Sequence, residues 1–238
     1  MGEDGRKMSK RWGNVINPDQ VVEQFGADSL RIYEMFMGPF DQACSWNTKG
    51  LVGVRRFLDR VFLAVNKAIL NAKETQTNNT NFDQALRQLH KTIKKVETDI
   101  EEFRFNTAVS QMMILVNEIG ELNLGSKGLA IWKEFIIILA PFAPHLAEEL
   151  WEMLGEKHSV FKTNWPTFEE KYLIETTLVI AIQVNGKLRG EISVSADTSE
   201  SEILSAAKME EHVKKFLLTG ELTKEIYVKG KLVNFVVK

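Results

Sequence analysis

Leu51-Val52-Gly53-Val54-Arg55-Arg56-Phe57-Leu58-Asp59-Arg60-Val61-Phe62-Leu63-Ala64-Val65 is the stretch whose reading decides the fold of most of this chain. Leu51, Val54, Leu58, Val61-Phe62 and Val65 recur every three or four positions, the spacing that lines up side chains on one face of an α-helix. Arg55, Arg56, Asp59 and Arg60 fall on the other faces, where water can hold their charges. Upstream, Leu30, Tyr33 and Phe36-Met37 repeat at the same spacing. Downstream, a polar run from Glu74 to Asn81 reads as a loop. Phe82 to Phe105 then reads as a charged amphipathic helix. Thr107 to Leu122 is another, carrying Val109, Met112-Met113 and Val116. Leu129 to Leu139 and His145 to Leu154 form a last pair, separated by Pro141 and Pro144. Four or five helices with modest loops, over residues 26–165, predict an antiparallel helix bundle.

The helical period stops between Thr163 and Glu175, where Pro166 marks a linker over residues 166–176. The period then changes from helix to strand. Leu178 to Val184 is an apolar strand, Asn185-Gly186 is the strongest short hairpin signal, and Lys187 to Val194 returns as its partner. Ser199 and Glu202 have the spacing of a capping box. Behind them Ile203, Leu204, Ala207, Val213 and Phe216-Leu217 line a helical face that Gly220 ends. Glu225 to Val228 and Leu232 to Val237 form a second strand pair around Lys229-Gly230. The fold class is therefore mainly α: a helix bundle followed by a small α+β domain over residues 177–238.

Bulk composition narrows the chemistry. Across 238 residues, 30 Lys+Arg stand against 32 Asp+Glu, a net charge of -2. No basic excess announces a nucleic-acid partner, so any RNA surface must be a local patch. Cys44 is the only cysteine, which excludes intramolecular disulfides and cysteine-based zinc sites and fits a reducing cytoplasm. No metal site is expected. The longest apolar run, Phe135 to Ala143, is broken by Pro141 and is far shorter than the roughly 20 residues a membrane span needs. Met1 to Lys7 lacks the apolar core of a signal peptide. The expectation is a cytoplasmic protein with no membrane contact.

Chemistry concentrates at the front, in a first region over residues 1–25. Gly2, Gly5 and Gly13 flank Lys7-Met8-Ser9-Lys10-Arg11, and Asn17-Pro18-Asp19 starts a helix behind it. This stretch is flexible and cationic, and in the class I aminoacyl-tRNA synthetase loop that it resembles, two such lysines would close over ATP and stabilise charge gathering on phosphorus as a carboxylate attacks. Lysine serves as a flexible point charge for phosphates that move during reaction. Ser9 and the loop amides add hydrogen bonds.

This stretch resembles the Lys-Met-Ser-Lys-Ser loop of class I aminoacyl-tRNA synthetases, with Arg11 where that family most often has serine. The added charge replaces a hydroxyl, so Arg11 receives no role. Residues 10–18 and Gly26-Ala27-Asp28-Ser29-Leu30-Arg31 continue the family pattern. Tyr33 to Phe40 with Trp46 resembles the leucyl branch. Leu139 to Trp151 is similar to the final helix pair of the class I anticodon-binding domain. Gln183 to Gly190 and Lys231 to Lys238 are similar to the opening hairpin and closing strand of the leucyl C-terminal domain. The resemblance covers essentially the whole chain.

What the resemblance implies is ATP-dependent attachment of leucine to its tRNA. Lys7 and Lys10 would act in catalysis, Lys7, Ser9 and Lys10 would hold ATP, and magnesium would serve the whole enzyme. The His-x-Gly-His partner of the lysine loop is absent: His90, His145, His158 and His212 all sit in other contexts. The isolated chain should therefore be unable to activate leucine. The first half of the catalytic fold and the editing domain would lie on a separate chain or in a preceding part of a longer one. A non-catalytic tRNA-binding module is the alternative.

Arg56 and Arg60 share a helical face and suit successive tRNA phosphates. Lys187 and Arg189 alternate on one strand, as Lys229 and Lys231 do, and with Lys214 and Lys215 these could form a local RNA-facing patch. Structural salt bridges and solvated turn lysines are the competing readings. His145 reads as a packing or capping residue. Trp132, Trp151 and Trp165 read as core anchors, and Met112 and Met113 as core filler.

Overall fold

The computed structural model describes residues 1–72, 79–174 and 177–237. Its contacts divide the chain into two compact units, Met1–Leu173 and Ile174–Lys238.

In the first unit, α1 (Pro18–Phe25), α2 (Ala27–Phe36), α3 (Thr48–Asn71), α4 (Asn79–Glu101), α5 (Phe105–Ile119), α6 (Gly128–Leu139) and α7 (Pro144–Met153) pack around one apolar core. The α3 stripe is buried as its spacing demands: Leu51, Val54, Phe57, Val61 and Val65 are inside. Phe135, Ile138 and Leu139 of α6 and Met112 and Leu115 of α5 complete the interior. Trp132 and Trp151 are buried core anchors and Trp165 is half-buried. The first 25 residues belong to this packing, because Val21 is buried in the core and Ile16 and Phe25 lie against it.

Two boundaries differ from the sequence expectation. Asn79 to Asn81, expected in a loop, open α4, and residues 74–78 of that run lie outside the described residues. The helix expected through Phe105 ends at Glu101. Phe103 there adopts a left-handed φ of 55°. The Arg104 amide donates to the Asp99 carbonyl (2.7 Å) and the Phe103 amide to the Ile100 carbonyl (3.2 Å). This is the Schellman pattern that closes a helix C-terminus. Glycine normally marks such an end, and phenylalanine in its place hides the signal. The Asp99 side chain, fully buried, accepts hydrogen bonds from Lys95, from Arg104 Nε (2.9 Å) and from the Thr107 hydroxyl (2.6 Å). Those bonds lock the α4–α5 corner.

The second unit is a four-stranded sheet with two helices on it. β1 (Thr177–Val184) and β2 (Lys187–Ser195) form a hairpin, α8 (Glu200–Met209) and α9 (Glu211–Thr219) follow, and β3 (Leu222–Val228) and β4 (Leu232–Val237) close it. The strand order is β2-β1-β4-β3, with β1 and β4 parallel and the other pairs antiparallel. Ile180, Ile182, Val184, Val233 and Phe235 are buried with Ile203 and Ala207 of α8 and Val213 of α9.

Asn185 (φ 51°) and Gly186 (φ 75°) supply the two positive φ angles of a type I′ turn. The capping box between Ser199 and Glu202 forms in full. The single helical face expected from Ile203 to Leu217 is instead two helices. Glu210 is extended (ψ 132°) and its carboxylate accepts the Val213 amide (2.9 Å), which starts α9 afresh. Of the closing stretch, Lys238 lies outside the described residues.

Candidate functional site

Lys7 to Arg11 hang from a hub made by Asp4 and Asn14. Asp4 Oδ1 accepts the Arg6 amide (3.0 Å) and Asn14 Nδ2 (3.2 Å), while Asn14 Oδ1 accepts the Ser9 amide (2.8 Å). Across the loop base, the Gly2 amide donates to the Arg6 carbonyl (2.8 Å). The Arg6 amide first, and Asn14 next, hold the Asp4 carboxyl below its usual range. Ser9 Oγ accepts the Arg11 amide (3.2 Å) and caps a short 3-10 turn over Lys10–Trp12. Gly13 closes that turn with a φ of 63°. The lysines are exposed on a short, internally braced loop.

The loop is also fastened at its base. The Met1 nitrogen donates to the Cys44 carbonyl (2.7 Å), and the Trp46 backbone amide donates to the Met1 carbonyl (2.9 Å). Glu3 Oε1 accepts both the amide (2.9 Å) and the hydroxyl (2.6 Å) of Thr48. Those two bonds, the hydroxyl's foremost, keep the Glu3 carboxyl below its ordinary range. Met8 lines a pocket of about 410 Å3 with Ile16, Pro18, Leu30, Met37 and Trp46. Met8 is half-buried at that pocket, while Lys7 and Lys10 are exposed. Arg11 and Arg6 both lie over the ring of Trp12, each 5.3 Å from its centre. Trp12 itself is 54% exposed. Sequence reading missed the hub, although Asn14 directly follows the turn glycine.

The arginines of α3 divide in their contacts. Arg60 Nη1 donates to Asn117 Oδ1 of α5 (2.6 Å). Arg56 is exposed one turn earlier. Arg55 bonds Asp59 (2.9 Å) and the carbonyl of Phe25 (3.1 Å).

In the second unit, the β1–β2 register shifts between Ile182 and Gln183, which pair with Gly190 and Leu188. Arg189 is therefore the extra residue of a β-bulge. Its guanidinium lies 4.3 Å from the ring centre of Phe216 on α9. Lys187 pairs with Val184 at the end of the hairpin, and α9 exposes Lys214 and Lys215. These four cations sit on β2 and on the helix packed against it. Lys229 and Lys231 flank Gly230 in the β3–β4 turn, and the Lys231 carbonyl accepts the Ala181 amide (3.1 Å). That turn adjoins the middle of β1, which separates β4 from β2 in the sheet. The six cations thus fall into two groups on this unit.

His145 is a capping partner. Asp28, buried on α2, accepts the amides of Leu146 (2.7 Å) and His145 (3.4 Å) and lies 2.8 Å from His145 Nδ1. A carboxylate on the first-turn amides of α7 satisfies donors that its own N-cap, Ala143, leaves open. Among the described residues no group of three His, Cys, Asp or Glu is placed to hold a metal ion, and no helix is long and apolar enough to cross a membrane.

A helical bundle behind a lysine loop, followed by a small sheet domain, defines the class. The chain belongs to the tRNA ligase anticodon-binding domain family, whose model matches residues 83–204. The model of class I tRNA synthetases (I, L, M and V) matches residues 1–47, the loop and its base.

Within that class the similarity is to leucine–tRNA ligases. One from Leptospira biflexa is 48% identical over 237 residues, covering 100% of this chain and 27% of the relative. One from Chlorobaculum tepidum is 45% identical over 238 residues, covering 100% and 29%. A solved ternary complex of Agrobacterium radiobacter K84 AgnB2 LeuRS with tRNA and LeuAMS superposes with a TM-score of 0.75 at 30% identity, over 100% of this chain and 31% of that one. The chain thus spans less than a third of the length of these relatives, at their C-terminal end.

Proposed function

We propose that this chain is the C-terminal part of a leucine–tRNA ligase, supplying the ATP-signature loop and tRNA-binding domains for attachment of leucine to its tRNA. The observation that carries this reading is the 45–48% identity to leucine–tRNA ligases over the full length of the chain. The geometry of the loop agrees with it. Lys7 and Lys10 stand exposed on a braced turn, where their ammonium groups can meet the phosphates of ATP as pyrophosphate leaves. The Ser9 hydroxyl, already an acceptor for the Arg11 amide, has a hydrogen to donate to a phosphate oxygen. Magnesium would share the triphosphate charge. Arg56, Arg60, Lys187, Arg189, Lys214, Lys215, Lys229 and Lys231 are the candidate contacts to the tRNA backbone, and the cytoplasm is the expected compartment.

The test is reconstitution. The chain alone gives no leucine-dependent ATP–pyrophosphate exchange, and exchange returns when it is joined to the preceding catalytic half of a leucine–tRNA ligase. In that assembly Lys10→Ala lowers exchange by about 100-fold or more, the scale of losing one charge-stabilising donor. Exchange that stays absent in the joined enzyme, while tRNA still binds, would favour a non-catalytic tRNA-binding module.

A further inference from the structure

We infer that Asn14 is a positioning residue for adenylate formation, holding the backbone between Lys7 and Lys10 in the shape that presents both lysines to ATP. The inference rests on the ligase reading above and adds a residue to it. Lys7 and Lys10 are exposed, so the backbone from which they spring sets where their ammonium groups can reach.

Asn14 grips that backbone at two points with one side-chain amide. Its Oδ1 accepts the Ser9 amide (2.8 Å), and its Nδ2 donates to the Lys7 carbonyl (3.4 Å). Met8, between those two backbone groups, is half-buried at its own pocket. Gly13, with its φ of 63°, turns the chain back so that Asn14 meets the loop it has just left. Asp4 fixes the orientation of the amide from the other side, because Asn14 Nδ2 also donates to Asp4 Oδ1 (3.2 Å) and Oδ2 (3.3 Å). An ionised carboxylate only accepts, so Nδ2 must face Asp4 and Oδ1 is left for the Ser9 N–H. The Arg6 amide holds Asp4 in turn (3.0 Å).

The packing at this point has no slack. Gly2 is buried, and a methyl group on it would begin 2.9 Å from both Asn14 Nδ2 and Asp4 Oδ1. Only glycine there lets the two side chains meet. The 3-10 turn after Ser9 has its own cap in the Ser9 hydroxyl, so the bonds of Asn14 are additional to the turn and fix the two limbs of the loop against each other. Misplacing a group that stabilises transition-state charge by about 1 Å can cost roughly 100-fold in rate. Binding of substrate by two flexible lysines is less sensitive to such a shift, so the loss should fall on kcat.

The test uses the ligase assembled from this chain and the preceding catalytic half, assayed by leucine-dependent ATP–pyrophosphate exchange. Asn14→Ala should lower kcat by roughly 10–100-fold and move the KM for ATP by less than about 3-fold. Asn14→Asp sets two carboxylates against each other and should fall similarly. Asp4→Asn should be the mildest, because an amide oxygen still accepts from Arg6 and Asn14. Combining Asp4→Asn with Asn14→Asp swaps acid and amide. An acceptor again meets the Ser9 amide, a donor again joins the two side chains, and most of the lost kcat should return. In the 238-residue chain, hydrogen exchange at the Ser9 amide should quicken in both single Asn14 variants and slow again in the double one, with circular dichroism verifying that each is folded. Undiminished kcat in Asn14→Ala and Asn14→Asp overturns the proposal. So does a loss carried by KM alone, or a double variant no better than Asn14→Asp. An unmodified assembly that shows no exchange fails the ligase reading itself, and the proposal falls with it.

Discussion

Asp28 sits in the first turn of α2 and holds the first turn of α7, 117 positions away at His145. Asp28→Ala removes a buried acceptor from two amides and should cost about 1–3 kcal/mol. Asp28→Asn keeps one acceptor and should recover part of the loss. Urea denaturation followed by tryptophan fluorescence reads this directly, since all five tryptophans lie in the first unit. Asp99 gives a pH prediction. Burial pushes its carboxyl up, but the hydrogen bonds of Lys95, Thr107 and Arg104 outweigh burial and leave it below its usual range. A carboxyl lowered on folding stabilises above its unfolded pKa of about 4, and that stability drains away as pH falls through the lower folded value. Asp99→Asn should be less stable at pH 7 and show a shallower loss between about pH 5 and 2, measured by the same denaturation at each pH. Neither partnership was legible in the sequence. An aspartate near a helix start reads as a local cap, and nothing local tells that the helix it serves is another one.

At the scale of elements, the apolar spacing of α3 and the Asn185-Gly186 hairpin were readable because each rests on a short-range rule. Side-chain spacing buries a stripe, and positive φ selects asparagine and glycine. What was missed rests on contacts between distant residues. The end of α4 is closed by a Schellman pattern with Phe103 where glycine is expected, and the break before α9 comes from the Glu210 carboxylate. The alternation of Lys187 and Arg189 was readable, but not the bulge that places Arg189 over Phe216. Asn185 does more than turn the hairpin. Its side chain donates to the Val237 carbonyl and accepts the Val237 amide, both at 2.9 Å, tying the turn to β4. Asn185→Ala loses both bonds and strains the positive φ, at about 1–2 kcal/mol. Asn185→Gly relieves the strain alone. Hydrogen exchange at Val237 should therefore quicken in both variants, while global destabilisation is larger in the alanine one.

At the scale of the molecule, the bundle and the small sheet domain followed from pattern and resemblance, whereas the grouping of the candidate tRNA-contacting cations did not. A net charge of -2 conceals local patches. Which cations face outward together depends on sheet order and helix packing, and these set Lys187, Arg189, Lys214 and Lys215 apart from Lys229 and Lys231. The central claim is that this chain carries tRNA recognition for a leucine–tRNA ligase. The measurement that tests it most directly is binding of the purified chain to a leucine tRNA transcript and to a tRNA of another specificity, each across a salt series. The account predicts tighter binding to the leucine tRNA, with affinity falling as salt rises. No binding, or equal binding to both tRNAs at every salt concentration, would contradict it.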